Sequence, residues 1–192
     1  MCQPVCGARL ARCCCGSRGR HGIIGCGRDF RWGPRHKVGR LVAEPLHLLG
    51  DKAPKGAERE ALVARVLESV GIEASAADRH IHAFSGGQRQ RIAIARALVI
   101  EPALIVLDEA VSALDVSIRA QVLDLLAAIS QRVAISYLFI AHDLQVVRAI
   151  TDRVLVMEGG RIVEEGATER VLEDPQQDYT RQLVRAAPKL GG

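Results

Sequence analysis

Apolar residues recur at helical spacing in several stretches of the chain. From residue 58 to residue 70 they fall on one stripe that Gly71 closes, which predicts an amphipathic helix. The same spacing predicts helices over residues 85–100, 117–130 and 143–150, and Pro45 indicates a helix start within residues 38–49. Glu101-Pro102 ends the first of these three helices.

Short uninterrupted apolar runs alternate with these helices. Residues 103–107 and 135–140 predict strands buried on both faces, and the helix between them predicts a right-handed parallel crossover. Two further strands, over residues 153–157 and 161–164, flank Glu158-Gly159-Gly160 and predict a hairpin. Thr168 is expected to cap a short helix, and a polar tail follows from residue 174. The pattern predicts an α/β fold.

Composition separates the first 33 residues from the rest. All six cysteines lie within the first 26 residues, and the first 40 carry nine Lys and Arg against Asp29 alone. This segment has no sustained period, so we expect residues 1–33 to be a disordered basic leader. A metal or iron–sulfur site, a targeting peptide and sequence translated from a wrong frame are the alternatives.

The remainder of the chain carries a net negative charge and no cysteine, which fits a reducing compartment. No apolar run approaches the roughly 18 residues that a membrane span needs.

Two stretches carry candidate chemistry. Phe84-Ser85-Gly86-Gly87-Gln88 is a glycine-containing turn that opens a helix, and backbone amides at a helix N-terminus suit a phosphate. Asp108-Glu109 ends the first apolar strand, where two carboxylates suit a metal ion and a water that must lose a proton. Together they suggest nucleotide hydrolysis.

Four motifs resemble those of ATP-binding-cassette (ABC) ATPases, in family order and spacing. Residues 82–91 resemble the signature motif, residues 104–109 the Walker B strand, residues 112–115 the D-loop and residues 141–143 the switch histidine. The resemblance implies a partial P-loop NTPase fold, with a parallel sheet flanked by helices, a helical signature subdomain and the first strands missing. One departure is Ala110, where the family usually has proline.

The resemblance also implies roles for individual residues. The cofactors would be ATP and Mg²⁺. The nucleotide-contacting residues of the signature turn and D-loop would act across a dimer interface: Ser85, Gly86, Gly87, Gln88 and Asp115. Asp108 would hold Mg²⁺, Glu109 would orient and deprotonate the attacking water, and His142 would contact the γ-phosphate.

A phosphate-binding loop of the form Gly-x-x-x-x-Gly-Lys-Ser/Thr does not occur in the sequence. Its closest spelling, residues 22–27, has the glycine spacing but continues as Arg28-Asp29, without the lysine and hydroxyl that meet phosphate and Mg²⁺. We therefore expect an N-terminally truncated ATPase that is inactive alone.

The sequence divides into four parts by this reading: the leader 1–33, the helical signature subdomain 34–100, the Walker B and switch-histidine half of the core 101–173, and a C-terminal extension 174–192. Residues 33–46, 77–79, 111–117 and 174–183 resemble the oligopeptide and dipeptide importer group. The resemblance implies peptide or similar solute import by a subunit located in the cytoplasm, peripheral on the inner face of the cell membrane.

The implied partners are a second ABC ATPase subunit, integral membrane permease subunits and, indirectly, a solute-binding protein; no nucleic acid is expected. The alternatives are a non-enzymatic fragment that only associates with an intact ABC ATPase, and a soluble ABC ATPase acting on nucleic acid, for which the basic leader would be the binding patch.

Overall fold

A computed structural model describes residues 21–25, 36–112 and 114–187 of the 192-residue chain. Its strands are β1 His21–Gly25, β2 Leu104–Asp108, β3 Ser136–Ile140, β4 Arg153–Glu158 and β5 Arg161–Ala167. Its α-helices are α1 Val38–Ala43, α2 Gly56–Ser69, α3 Gly86–Leu98, α4 Val116–Arg132, α5 Leu144–Ile150, α6 Thr168–Glu173 and α7 Asp178–Ala186. Short 3₁₀ segments cover Glu44–Lys52, Ala74–Asp78 and Ile81–Ala83.

The described residues form two compact units, with the division between residues 138 and 139. The core of the first unit is aliphatic and comes largely from α1, α2 and α3, which contact one another. The side chains that are fully enclosed there include Val38, Val42, Leu67, Val70, Ile92, Ile94 and Val99. Leu67 and Val70 belong to the apolar stripe that the sequence predicts over residues 58–70, so this amphipathic helix is confirmed. It begins two residues earlier than predicted and ends one residue earlier, at Ser69.

The end of α2 is fixed by a side chain from α3. Gly71 follows the helix with a φ of +73°, the left-handed conformation that glycine adopts at low cost. The Arg91 guanidinium donates to the Val70 carbonyl at 3.1 Å, which satisfies a carbonyl that the helix end leaves unpaired. The N-terminal half of α3 and the last turn of α2 are therefore tied together.

Three strands form a sheet in the order β1-β2-β3. β1 pairs with β2 in parallel, in a register that sets His21 opposite Leu104 and Gly25 opposite Asp108. β1 lies within residues 1–33, which the sequence predicts to be a disordered leader. In the structure, residues 21–25 instead form a strand of the sheet. A five-residue strand with two glycines has too little apolar pattern to reveal itself in the sequence. The six cysteines of the leader lie outside the described residues.

The expectation of strands buried on both faces is only partly met. In β2, Ile105 and Leu107 are fully buried, whereas Leu104 and Val106 are half-buried. In β3 the prediction is wrong, because Leu138 and Ile140 are exposed at 43% and 47%. β3 ends the three-stranded sheet of the described residues, and a terminal strand is covered less than a central one.

In the second unit, β4 and β5 form the predicted antiparallel hairpin. Its turn residues Gly159 and Gly160 have φ values of +56° and +80°, as a two-residue hairpin turn requires. Thr168 is the first residue of α6 and not its cap; it is buried, and its hydroxyl lies 3.0 Å from that of Thr151. The predicted polar tail contains a helix, α7.

Arg148 of α5 bridges to Glu169 and Glu173 of α6 at 2.7 and 2.9 Å, which adds electrostatic contacts between these two short helices. No helix within the described ranges is long and apolar enough to cross a membrane.

Candidate functional site

The turn that opens α3 is closed by a reciprocal pair of hydrogen bonds. Ser85 is the N-cap; its hydroxyl accepts from the Gln88 N–H at 3.3 Å, and the Gln88 side-chain oxygen accepts from the Ser85 N–H at 3.0 Å. This capping box satisfies two of the donors that a helix start leaves open. The sequence-predicted helix start at Ser85 is confirmed.

Gly86 and Gly87 occupy the first two helical positions, where no intrahelical acceptor is available for their N–H groups. Within the described ranges of the chain no other acceptor is found for these two groups. Gly86 is exposed, and a Cβ added there would meet nothing within 4 Å. Gly87 is buried, so the turn presents the Gly86 N–H and the positive end of the helix dipole at an open surface, an arrangement that suits an anion.

The segment before this turn is anchored by Phe84, which is buried. The Arg79 guanidinium lies 4.5 Å from the centre of its ring, within range of a cation–π contact. Towards the other end of α3, Arg96 pairs with Glu44 at 2.8 Å. None of these supports, nor the Arg91 contact to Val70, is predicted by the sequence. Arginines on a helix, without knowledge of the neighbouring elements, give no signal that identifies their acceptors.

Asp108 and Glu109 lie at the C-terminal end of β2, and both are exposed. Glu109 has a φ of +48°, which is uncommon for a residue other than glycine. Its carbonyl oxygen accepts from the Ser112 N–H at 3.1 Å and from the Ser112 hydroxyl at 2.9 Å. These bonds fix the turn that carries both carboxylates. Strained backbone is frequent at functional sites, where surrounding contacts maintain it.

Asp115 is exposed at the N-cap of α4, yet its carboxylate does not cap the helix. The sequence would assign an aspartate at this position to capping. Its carbonyl oxygen accepts from the Arg119 N–H at 2.8 Å, so the backbone of the turn is ordered while the carboxylate meets no hydrogen-bond donor in the part of the chain that the structure describes. Ala113 of the predicted D-loop lies outside the described residues.

His142 belongs to the second unit, where it is exposed shortly before α5. Asp143 is the N-cap of that helix, and its carboxylate accepts from the Gln145 N–H at 2.9 Å. A local hydrogen bond therefore fixes the backbone that follows His142.

The described residues contain no group of three or more His, Cys, Asp or Glu side chains that could hold a metal ion. Mg²⁺ does not need one, since it is commonly bound through one or two carboxylates while phosphate oxygens and water fill the remaining positions. The exposed Asp108 carboxylate at the end of β2 fits such a site as a single protein ligand.

Comparison with known proteins gives this arrangement a family context. The family model described as ABC transporter matches residues 20–112, a range that begins just before β1 and covers the turn of α3 and both carboxylates. The start of the match at residue 20 agrees with the placement of β1 in the sheet.

Curated relatives are import proteins. The chain is 49% identical over 157 residues to the dipeptide transport ATP-binding protein DppF of Haemophilus influenzae, covering 82% of this chain and 47% of that protein. It is 47% identical to DppF of Escherichia coli, with coverages of 82% and 46%. It is 50% identical to the glutathione import ATP-binding protein GsiA of Salmonella choleraesuis, with coverages of 81% and 25%. The chain spans less than half the length of these relatives.

Solved structures show the same fold. An inward-facing metal-chelate type ABC transporter superposes with a TM-score of 0.74 at 25% identity, covering 88% of this chain and 65% of that one. CbiO1 of Clostridium perfringens, part of the ABC transporter complex CbiONQ, superposes with a TM-score of 0.69 at 29% identity, covering 81% and 60%. The predicted α/β fold with a partial P-loop ABC architecture is thereby confirmed.

Proposed function

We propose that this chain is a member of the ABC ATPase family, in its peptide-importer group, and that it acts as an ATP-binding subunit of a peptide import system by completing a nucleotide site on a second ATPase subunit. The observation that carries the proposal is the start of α3, where the Gly86 and Gly87 N–H groups have no acceptor among the described residues. Ser85 and Gln88 hold that turn in place through their own hydrogen bonds.

The α3 turn would bind the γ-phosphate of an ATP molecule that the second subunit holds. Backbone N–H groups and the helix dipole supply the interaction, and Gly86 leaves space for a close approach because nothing in the described part of this chain lies near its missing Cβ. The exposed Asp115 carboxylate would contact the second subunit and couple the two nucleotide sites.

The end of β2 would serve the hydrolytic step. Asp108 would hold Mg²⁺, which supplies charge neutralisation at the phosphates when bound. Glu109 would orient the attacking water and accept its proton, and His142 would contact the γ-phosphate. The Ser112 hydrogen bonds to the Glu109 carbonyl keep the two carboxylates at the strand end that this chemistry needs.

The sequence contains no Gly-x-x-x-x-Gly-Lys-Ser/Thr among its 192 residues. The lysine and amide cradle of that loop supply several charge-assisted hydrogen bonds, each worth roughly 1.5 to 3 kcal/mol. We therefore propose that the isolated chain holds its own ATP poorly and turns it over at a negligible rate. Permease subunits of the membrane would be further partners, and with them the chain would lie at the inner face of the cell membrane.

The test uses the purified chain and an intact dipeptide transport ATPase in which the catalytic glutamate is replaced by glutamine, so that bound ATP is not hydrolysed. Light scattering coupled to gel filtration is expected to show a complex with ATP and none without it. Ser85→Arg should abolish the complex by filling the phosphate position. Ser130→Arg is the matched control, since Ser130 is exposed near the far end of α4 and donates only to the Ala127 carbonyl.

Three outcomes would contradict the proposal. A complex that forms equally well without ATP, or that survives Ser85→Arg, indicates a fragment that only associates with an ATPase. Robust ATP turnover by the isolated chain that Glu109→Gln removes would contradict the absence of a usable phosphate loop.

A further inference from the structure

The two glycines of the α3 turn differ in what surrounds them. A Cβ added at Gly86 would meet nothing within 4 Å, whereas a Cβ added at Gly87 would lie 2.6 Å from the Cγ2 methyl of Ile118. Real Cβ atoms do not approach other carbons so closely, so Gly87 must be glycine to admit that methyl group. The adjacent positions therefore have separate structural reasons for the same residue type.

Ile118 lies in the first turn of α4, three residues after Asp115. Its Cγ2 methyl is the nearest atom to the Gly87 site; its Cβ and Cδ1 would each be 3.9 Å from the added Cβ. The contact thus rests on one branch of the side chain. It joins the first turns of two helices, one that carries the unpaired Gly86 and Gly87 N–H groups and one that begins at Asp115.

We propose that Ile118 is a positioning residue for the nucleotide-contacting turn: its Cγ2 methyl, seated on Gly87, sets the location of the Gly86 and Gly87 amides relative to the Asp115 carboxylate. The effect of Ile118 on nucleotide contact rests on the proposed function, whereas the contact between Ile118 and Gly87 does not depend on that function. Movement at the start of α4 reaches the α3 turn directly where this methyl group touches Gly87, because no Cβ at position 87 separates the helices there.

Two substitutions at position 118 distinguish the effect of the Cγ2 methyl group on the turn from the effect of side-chain volume. Ile118→Val keeps the β-branched methyl and removes only Cδ1. Ile118→Leu conserves the volume but removes the branch that contacts Gly87. Amide hydrogen exchange of Ser85, Gln88 and Arg89, whose N–H groups are hydrogen-bonded within the turn, is the readout. We expect Ile118→Leu to raise the exchange rates of these amides at least fivefold, while Ile118→Val leaves them within twofold of the original chain at comparable melting temperature.

The glycines supply a second, nucleotide-free test. Neither has a positive φ, so alanine is compatible with the backbone at both positions. Gly86→Ala is expected to leave the melting temperature unchanged or raise it, because alanine favours a helix. Gly87→Ala is expected to lower it, and Ile118→Ala in the same chain is expected to recover most of the loss by removing the methyl. If Gly86→Ala and Gly87→Ala change the melting temperature equally, or if the double variant recovers none of the loss, the proposed role of the contact is refuted.

The functional consequence is measured in the ATP-dependent complex described above. Ile118→Leu should raise the concentration of intact ATPase needed for half-maximal complex by about tenfold, and Ile118→Val by less than twofold. If the original chain forms no complex, the proposed function fails, and exchange and melting still decide whether Ile118 positions the turn. If the complex forms but Ile118→Leu and Ile118→Val behave alike in all three measurements, the positioning role is refuted.

Discussion

Ser85 and Gln88 each donate a backbone N–H to the other's side chain across the first turn of α3. These two hydrogen bonds use the backbone amides at the two ends of the turn. They leave those of Gly86 and Gly87, which lie between them, without an acceptor in the described part of the chain. The same bonds that stabilise the helix start therefore also decide which amides remain available to a ligand.

Ser85→Ala is expected to lower the free energy of unfolding by about 1 kcal/mol, since loss of an N-cap hydroxyl typically costs between about 0.5 and 2 kcal/mol. Thermal or urea unfolding followed by circular dichroism measures it. Ser69→Ala is the control, because the Ser69 hydroxyl donates only to the Val66 carbonyl one turn back in α2 and caps no helix N-terminus. Equal losses in the two variants would contradict the capping role of Ser85.

Glu109→Gly is expected to raise the free energy of unfolding by about 0.5 to 1 kcal/mol. Relief of the left-handed backbone is worth about 1 to 2 kcal/mol, and the added freedom of glycine in the unfolded chain removes part of that gain. Glu101, which has the same φ of +48°, is the matched position, and Glu101→Gly should give a similar gain. Glu109→Gln keeps the strain and should give none, which chemical denaturation can check.

The C-terminal helix α7 is held to the hairpin by Glu164. Its carboxylate accepts from the N–H groups of Gln176 and Gln177 at 2.9 and 3.1 Å. Partial desolvation raises the pKa of Glu164. These hydrogen bonds and the charge of Arg181 lower it by a larger amount, so the pKa lies below its ordinary value. The stabilising contribution is thus complete above the unfolded-state pKa, near 4.5, and is lost as the pH falls through the lower folded-state value.

We therefore expect amide exchange in α7, relative to the intrinsic exchange rate at the same pH, to accelerate below pH 4.5. Glu164→Gln should accelerate it already at pH 7, with a loss of roughly 1 kcal/mol of local stability. Glu165→Gln is the control on the same strand, one residue further along and exposed. If the two variants exchange α7 amides at the same rate at pH 7, Glu164 does not hold the helix.

Tyr137 of β3 donates its hydroxyl to the Leu126 carbonyl of α4 at 3.2 Å, and burial raises the pKa of Tyr137 to about 12. Tyr137→Phe should cost about 1 kcal/mol at neutral pH. A raised folded-state pKa means that this advantage is present below the unfolded-state value near 10 and is lost as the pH rises toward 12. The difference in melting temperature between the two proteins should shrink above pH 10; a constant difference would contradict the assignment.

Local features of the fold and site could be predicted from the sequence, and contacts between distant residues could not. The helix start at Ser85 was predictable because the N-cap, the glycines and Gln88 lie within four residues. The strand before Asp108 was predictable because a compact apolar run identifies itself. The contact of Ile118 with Gly87 joins residues 31 positions apart, and no periodicity of either helix indicates it.

The errors share a physical cause. The apolar run of β3 predicts burial because its composition is that of a central strand. The exposure of a strand depends on what lies beside it, however, and the run itself does not encode its neighbours. Thr168 was assigned to capping from its residue type, whereas the structure uses its hydroxyl inside the second unit against Thr151. Side-chain type limits the possible roles, and tertiary neighbours select among them.

Because of the left-handed backbone at Glu109, the substitutions that would stabilise the protein at that position are in conflict with the proposed catalytic role of its carboxylate. The residues that fit this conformation best, glycine and then asparagine, are ones that lack the carboxylate. Selection of a variant library for heat resistance alone would therefore enrich Glu109→Gly and Glu109→Asn. These variants would gain thermal stability but lose the carboxylate that accepts the proton. Glu101 offers the same gain in stability at a position outside the proposed site, so keeping Glu109 unchanged during such a screen retains both properties.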